Sequence, residues 1–160
     1  MAYMDNSGLL RKFGTEKTVA TKGGEYRTVG QLREIEFRID LTTLTEAETI
    51  LSDVQFMPKM RIAEVKVVTH TAAVTGTAID LGLIATDRTT EIDYNGLLAA
   101  FVTATMNVVG ETTILTAGSA TVGALVGTTT SNVGYFTCSR TDATAFTAGV
   151  IYVTVKYYAA

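Results

Sequence analysis

The chain has 160 residues, of which 47% are hydrophobic and 18% charged, and its formal net charge is −3. These totals fit one folded domain with a sizeable core and exclude an intrinsically disordered chain, which needs the opposite balance. The mild acidic excess favours neither nucleic acid nor an anionic membrane as a partner. The single cysteine, Cys138, excludes an internal disulfide and fits a reducing compartment.

The chain begins with a segment unlike the rest. Residues 1–33 have scattered charges, glycines at positions 14, 23, 24 and 30 and weak periodicity, so they bury too little apolar surface to fold alone. We therefore predict an extended N-terminal arm over residues 1–33 and a β-sandwich domain over residues 34–160.

The arm contains a strip of basic and aromatic side chains, which are candidate partner contacts: Arg11, Lys12, Phe13, Lys17, Lys22, Tyr26 and Arg27. Glu16 and Glu25 interrupt the positive charge, which disfavours nucleic acid as the ligand. Two uses stay open, namely contact with an acidic protein surface and a solvated, flexible segment.

The stretch KFGTEKT, residues 12–18, has a glycine, a lysine and a threonine in the order of a phosphate-binding loop. That loop needs G-x-x-x-x-G-K-[ST] between a strand and a helix, so that backbone N–H groups surround the phosphates. Here Gly14 precedes Lys17 by three positions, and Glu16 occupies the place of the second glycine, where a carboxylate repels phosphate. The sequence therefore predicts no nucleotide site.

Period-two alternation of apolar and polar residues predicts strands along much of the remaining chain. In EIEFRIDL, residues 34–41, the apolar Ile35, Phe37 and Ile39 alternate with charged residues. Similar patterns occur in RIAEVKVVTHT, AIDLGLI, VGYFTCS and VIYVTVKYY, which cover residues 61–71, 78–84, 133–139 and 150–158. Turns that contain glycine and aspartate separate these runs, so we predict an antiparallel all-β sandwich or barrel.

Two segments predict short helices instead. Thr45 and Glu48 have the spacing of a capping box, which favours a helix over EAETILS, residues 46–52. The alanine- and leucine-rich GLLAAFVTAT, residues 96–105, is the other helix candidate.

Threonine replaces charge on the surface of the second half of the chain. Residues 69–160 include 21 threonines and nine charged side chains. Threonine favours strands, and a soluble monomer normally keeps more surface charge to resist association. We therefore expect neighbouring chains to cover much of this surface. The aromatic candidates for an oligomer interface are Tyr152, Tyr157 and Tyr158 in the last predicted strand.

The motifs predict no catalytic, metal or cofactor site. EIDYNG, residues 91–96, imitates half of a calcium loop, but Val102 stands where the bidentate glutamate belongs, and a turn or helix cap explains the same residues. His70 and Cys138 are single residues of their kinds, which excludes a multi-ligand zinc site. A Cys–His nucleophilic pair stays open, although both residues lie in predicted strands, where a buried cysteine acts as a small hydrophobe.

Three passages carry a family resemblance: AIDLGLIATDRTTEIDYNGLLAAF, TILTAGSATVGALVGTT and TAFTAGVIYVTVKYY. They resemble the β-sandwich virion proteins of tailed bacteriophages and, within that group, capsid decoration or cement proteins. The resemblance covers residues 60–160 and lies in the style and order of the segments, with no catalytic signature. It implies a jelly-roll-like sandwich that associates as a homotrimer on the outer surface of the mature head.

The function that the resemblance implies is structural. Such a protein binds the major capsid protein and itself, locks neighbouring capsid subunits together and catalyses no reaction, with no nucleic acid or membrane partner. The N-terminal MAYMDNSGLL lacks the pattern of a signal peptide, so we expect synthesis in the host cytoplasm. The alternatives are a tail or head-fibre protein, a small hydrolase built on His70 and Cys138, and a sugar-binding module that uses the terminal tyrosines.

Overall fold

The structure, a computed structural model of the chain, describes residues 2–4, 10–12, 32–56, 60–130 and 133–158, with the backbone alone for residues 2–4, 10–12 and 54–56. The strands in these ranges are β1 (Ala2–Met4), β2 (Leu10–Lys12), β3 (Leu32–Asp40), β4 (Thr49–Phe56), β5 (Arg61–Thr75), β6 (Ala78–Ala85), β7 (Glu91–Val102), β8 (Thr112–Thr116), β9 (Gly134–Arg140) and β10 (Phe146–Tyr158). Short 3₁₀ turns cover Leu41–Thr43 and Thr103–Thr105. Across the described ranges, no helix has the length and apolar character needed to cross a membrane.

Eight of these strands form two four-stranded antiparallel sheets. The first sheet has the order β3-β10-β5-β8, and the second has the order β4-β9-β6-β7. The chain crosses between the sheets after every strand from β3 to β9 except β6, which pairs with β7 as a hairpin. This is the strand order of a jelly roll, so the predicted all-β sandwich of jelly-roll type is confirmed. Strands β1 and β2 form a separate two-stranded antiparallel sheet.

The core lies between the two four-stranded sheets because alternate residues of each strand face inward. In β10 the inward residues Ile151, Val153 and Val155 are fully buried, as are Ile79, Leu81 and Leu83 in β6. Phe37 of the first sheet and Phe136 of the second meet with ring centroids 5.0 Å apart. The five strands predicted from alternation, β3, β5, β6, β9 and β10, are therefore confirmed.

The helix predicted over residues 46–52 is wrong, because Thr49–Phe56 form strand β4 and pair with β9. The Thr45 hydroxyl donates to the carbonyl oxygen of Ala47 at 2.9 Å and so does not cap a helix. The Glu48 carboxylate accepts a hydrogen bond at 3.1 Å from the hydroxyl of Thr137, which lies 89 positions away. Long-range sheet pairing overrides the local capping pattern here.

The helix predicted over residues 96–105 is wrong as well, except that Thr103–Thr105 form one 3₁₀ turn. Strand β7 runs through this segment, and its Leu97, Leu98 and Phe101 are buried in the core. The strand has a large bulge, because Leu81 of β6 pairs with Leu98 and Leu83 pairs with Asp93. Extra residues of β7 therefore fold out of the ladder, which spreads its apolar side chains in an irregular pattern.

The connection from β8 to β9 ties the two sheets together. Gly123 N donates to Leu97 O in β7 at 3.0 Å, and Leu125 N donates to Gly96 O at 2.8 Å. A few residues later, Gly127 N donates to Ile62 O in β5, which belongs to the other sheet, at 2.8 Å. The segment thus pairs with the edge strand of the second sheet and with the beginning of β5.

Candidate docking surfaces

The predicted contacts of the arm lie largely beyond the residues that the structure describes. Phe13, Lys17, Lys22, Tyr26 and Arg27 are outside the described ranges, as is most of the stretch that imitates a phosphate-binding loop. Arg11 and Lys12 lie in β2, where the backbone alone is described. Strand β3 begins at Leu32. The division into an arm over residues 1–33 and a domain over residues 34–160 stays a prediction.

The structure does not bring the three tyrosines of β10 onto one surface. Tyr152 is on the outer face of the first sheet, where its ring meets His70 edge to face with centroids 5.6 Å apart. Tyr157 is packed against the core between the sheets. Tyr158 stands at the end of the strand and pairs with Leu32 and Arg61. Their role in an oligomer interface stays a prediction.

The outer face of the first sheet has acidic and basic side chains in alternating positions across neighbouring strands. It contains Glu34, Glu36, Arg38, Glu64, Lys66 and Lys156. Lys156 Nζ lies 2.5 Å from Glu64 Oε1, and this carboxylate raises the pKa of the lysine. On the same face, the Thr154 hydroxyl donates to the Glu36 carboxylate at 3.4 Å. With three acids and three bases interleaved, this face has no basic stripe of the kind that attracts nucleic acid.

The Cys–His pair of the hydrolase alternative does not assemble. Cys138 is 1% exposed in the core between the sheets, and its burial raises the pKa of the thiol. His70 is exposed on β5 and contacts Tyr152 on the outer face of the first sheet. The two side chains therefore belong to different sheets and different environments, and neither the thiolate nor a nearby base is available for nucleophilic attack.

The residues of EIDYNG form part of the β7 bulge. Asp93 Oδ1 accepts a hydrogen bond from Asn95 N at 3.3 Å, as in a local turn, and Gly96 lies against Leu125. Glu91 and Asp93 lie near Glu48, whose pKa is raised first by burial and further by these two carboxylates. Among the residues that the structure describes, no group of His, Cys, Asp or Glu has a geometry that could hold a metal ion.

The surroundings of two further carboxylates, Asp80 and Asp87, shift their pKa values in opposite directions. Asp80 is 7% exposed, and burial raises its pKa although its Oδ1 accepts a hydrogen bond from Ala100 N at 2.7 Å. Asp87 lies in the exposed turn between β6 and β7 and accepts hydrogen bonds from Thr90 and Thr89. The bonds from Thr90 come first among the causes that lower the pKa of Asp87 to about 2.

One end of the sandwich exposes apolar side chains that the sequence reasoning missed. The exposed fractions there are 49% for Val74, 40% for Val102, 57% for Val108 and 66% for Val109. We name these four residues the valine end. They lie in two segments that backbone hydrogen bonds join, from Ala73 N to Met106 O, from Thr103 N to Thr77 O and from Gly110 N to Thr69 O. A signal was present in the sequence, since residues 67–79 and 94–110 contain no Asp, Glu, Lys or Arg.

The valine end lies along the second half of β5, and the arm enters at the other end of the first sheet. Leu32, the first residue of β3, pairs with Tyr158, and Tyr158 pairs with Arg61 at the start of β5. The turn after Thr75 closes the other end of β5, where Thr75 pairs with Phe146. With 15 residues in β5, these ends are about 45 Å apart at the usual rise of a strand.

Comparison with known proteins identifies the fold. No protein-family model matches the chain, and no curated protein sequence matches it. A chain from the structure titled "Capsid of Ralstonia phage GP4" is similar, with a TM-score of 0.55, 17% identity and coverage of 82% of this chain and 86% of that one. A chain from "Cyanophage Pam1 capsid asymmetric unit" has a TM-score of 0.53 and 13% identity, over 92% of this chain and 98% of that one. The jelly roll described above is therefore a fold that occurs in two phage capsid structures.

Proposed function

We propose that this chain is a structural protein of a bacteriophage virion that decorates the outer surface of the mature head. In this proposal it binds the major capsid protein and further copies of itself as a homotrimer, and it stabilises the contacts between neighbouring shell subunits. The observation that supports it best is the shared fold with chains from two phage capsid structures. Both alignments span most of each chain, so those chains are of nearly the same length as this one.

The chemistry of the described residues supports a binding role. The buried thiol of Cys138 and the distant, exposed His70 do not form a reactive pair, and the acids of β7 do not form a metal site. Decoration requires no reaction, because a protein that binds the assembled shell and not its dissociated subunits stabilises the shell by mass action.

The proposed anchor is the N-terminal arm. Its basic and aromatic residues precede β3, and the chain enters the sandwich at the end opposite the valine end. In this arrangement the arm reaches along the shell while the jelly roll remains above it. Contacts through several subunits at once raise the effective affinity of each copy without unusual strength in any one contact.

The test is binding of the purified full chain to mature heads of the encoding phage from which decoration has been stripped or genetically removed. We expect saturable binding in sedimentation, and heads that release their DNA at a higher temperature after binding. His70→Ala and Cys138→Ala serve as controls and should bind like wild type, whereas an enzyme built on them would lose activity. Binding confined to tails or to isolated vertices would instead support the fibre alternative, and no binding to any particle would reject the proposal.

A further inference from the structure

We propose that the valine end, formed by Val74, Val102, Val108 and Val109, is the surface through which copies of this chain associate with one another. The inference deepens the self-association contained in the proposed function and does not need the capsid. Four of the seven large apolar side chains that are exposed in the described part of the chain belong to this end. Contiguous apolar surface on a monomer commonly marks an interaction site.

The distribution of charge identifies a second copy as the occupant. The chain has a formal net charge of −3, so the charge of two copies opposes their approach through charged surfaces. The segments that form the valine end contain no Asp, Glu, Lys or Arg. Such a surface meets its own copy without leaving a charge unpaired, whereas a charged partner would find no complement there.

Two acidic residues lie close to this end, Glu111 through its position in the sequence and Asp142 through its hydrogen bond with Thr77, and neither changes this argument. Asp142 is engaged within its own chain, since its carboxylate accepts hydrogen bonds from the Thr77 hydroxyl and, at 2.9 Å, from Thr144 N. Glu111 belongs to the connection into β8, where its backbone accepts from Thr69 N at 2.9 Å. Both are acidic, so a basic partner would have two contacts at the margin and none at the centre.

The backbone at the valine end is held in a fixed shape. Thr75 and Gly76 lie where the chain crosses from β5 to β6, and their φ angles of 56° and 63° are in the left-handed region. A β-branched residue rarely adopts this conformation, and here the Thr75 hydroxyl donates to Ala145 O at 2.9 Å and accepts from Thr147 N at 3.1 Å. Gly76 lies against the ring of Phe146, which leaves no room for a Cβ atom. A preformed surface loses less conformational entropy on association.

The test compares self-association of the full-length wild-type protein with that of a Val108→Asp/Val109→Asp double variant in sedimentation equilibrium, up to about 1 mM so that weak association is detected. We expect reversible association of the wild type and at least a tenfold weaker association of the double variant, because each new carboxylate must be desolvated at the interface. Ile114→Asp is the matched control, since Ile114 is 55% exposed on β8 outside the valine end, and it should associate like wild type. If the double variant unfolds, Val109→Asp alone replaces it.

Four results would overturn the inference. The first is a wild type that remains monomeric throughout the concentration range, and the second is a double variant that associates like wild type. The third is an Ile114→Asp variant whose association is weakened as much as that of the double variant. The fourth is a Tyr152→Ser variant that loses association while the double variant keeps it. Head binding is measured separately on the same proteins. Lost head binding with unchanged self-association would assign the valine end to the shell and reject a second copy as its occupant. Normal self-association of wild type without head binding would reject the capsid role and leave this inference intact.

Discussion

Replacing Gly123 with alanine tests whether the β8–β9 connection stabilises the sandwich as its contacts indicate. An alanine Cβ at this position would lie 2.1 Å from Gly96 C and 2.2 Å from Asn95 O, both of which are backbone atoms. The two segments must therefore separate by roughly 1 Å, since carbon atoms normally approach to about 3.5 Å. That separation removes the hydrogen bonds from Gly123 N to Leu97 O and from Leu125 N to Gly96 O.

The expected loss in the free energy of unfolding is about 3 kcal/mol. Two backbone hydrogen bonds contribute about 1 kcal/mol each, and forced repacking adds about 1 to 3 kcal/mol, partly offset by the lower entropy of an unfolded alanine chain. For a chain of this length, that loss lowers Tm by roughly 10 °C, which thermal unfolding followed by circular dichroism measures directly.

Gly118→Ala is the matched control for this substitution. Gly118 lies in the same connection with φ of +88°, but nothing is within 4 Å of the Cβ that alanine would add. The control therefore introduces backbone strain of about 1 to 2 kcal/mol without a clash. If Gly123→Ala melts within about 2 °C of wild type, or no lower than Gly118→Ala, the close packing of this connection against β7 does not stabilise the fold as argued.

Other expectations concern pH and the arm. Stability should fall as pH rises above about 4, because the pKa values of Asp80 and Glu48 are raised in the folded state, so the folded state binds more protons than the unfolded one. Asp80→Asn, which keeps an acceptor for Ala100 N, should flatten this decline in urea unfolding measured from pH 4 to 7, and an unchanged slope would refute the assignment. Below pH 4 the trend reverses, because the pKa of Asp87 is lowered to about 2 and its contribution is lost as pH falls towards that value. Asp87→Asn should reduce the acid-side loss, and an identical acid profile would contradict it. Deletion of residues 1–30 should leave the melting transition of the sandwich intact while abolishing binding to heads, and truncated protein that saturates heads at wild-type affinity would exclude the arm as anchor.

The sheets were predictable wherever one strand face is buried and the other is solvated. Strands β3 and β10 alternate cleanly, and the structure buries Phe37, Ile39, Ile151, Val153 and Val155 as that alternation requires. Strand β6 was predicted too, although its alternate positions, Asp80 and Gly82, are also buried. They are buried because Asp80 accepts a hydrogen bond from Ala100 N and the bulge of β7 lies over Gly82.

Strands β4 and β7 were predicted as helices because local and long-range interactions favour different structures there. Thr45 and Glu48 match a capping box, but the Glu48 carboxylate bonds to Thr137 across the sheet. In β7, leucine and alanine favour a helix locally, yet the bulge places Leu97, Leu98 and Phe101 in the core of a sheet. Local propensity reveals neither structure, since β4 depends on pairing with β9, far away in the chain, and the bulge of β7 depends on its register with β6.

The docking surfaces were predictable in character and not in position. The low charge of the second half predicts a surface suited to association, and the tyrosines of β10 were the candidates for it; both stay predictions. The fold separates those tyrosines and brings Val74 and Val102 to one end together with Val108 and Val109. Exposure of an apolar side chain in a strand depends on what packs above it, which is a property of the assembled sheets.

The measurement that tests the central claim most directly is the copy number of this chain in purified particles of the encoding phage, relative to the major shell protein, by quantitative mass spectrometry. A decoration layer predicts a ratio near one copy per shell subunit, with the chain accessible to surface labelling on intact heads. A few copies per particle, or absence of the chain from the particle, would contradict the account.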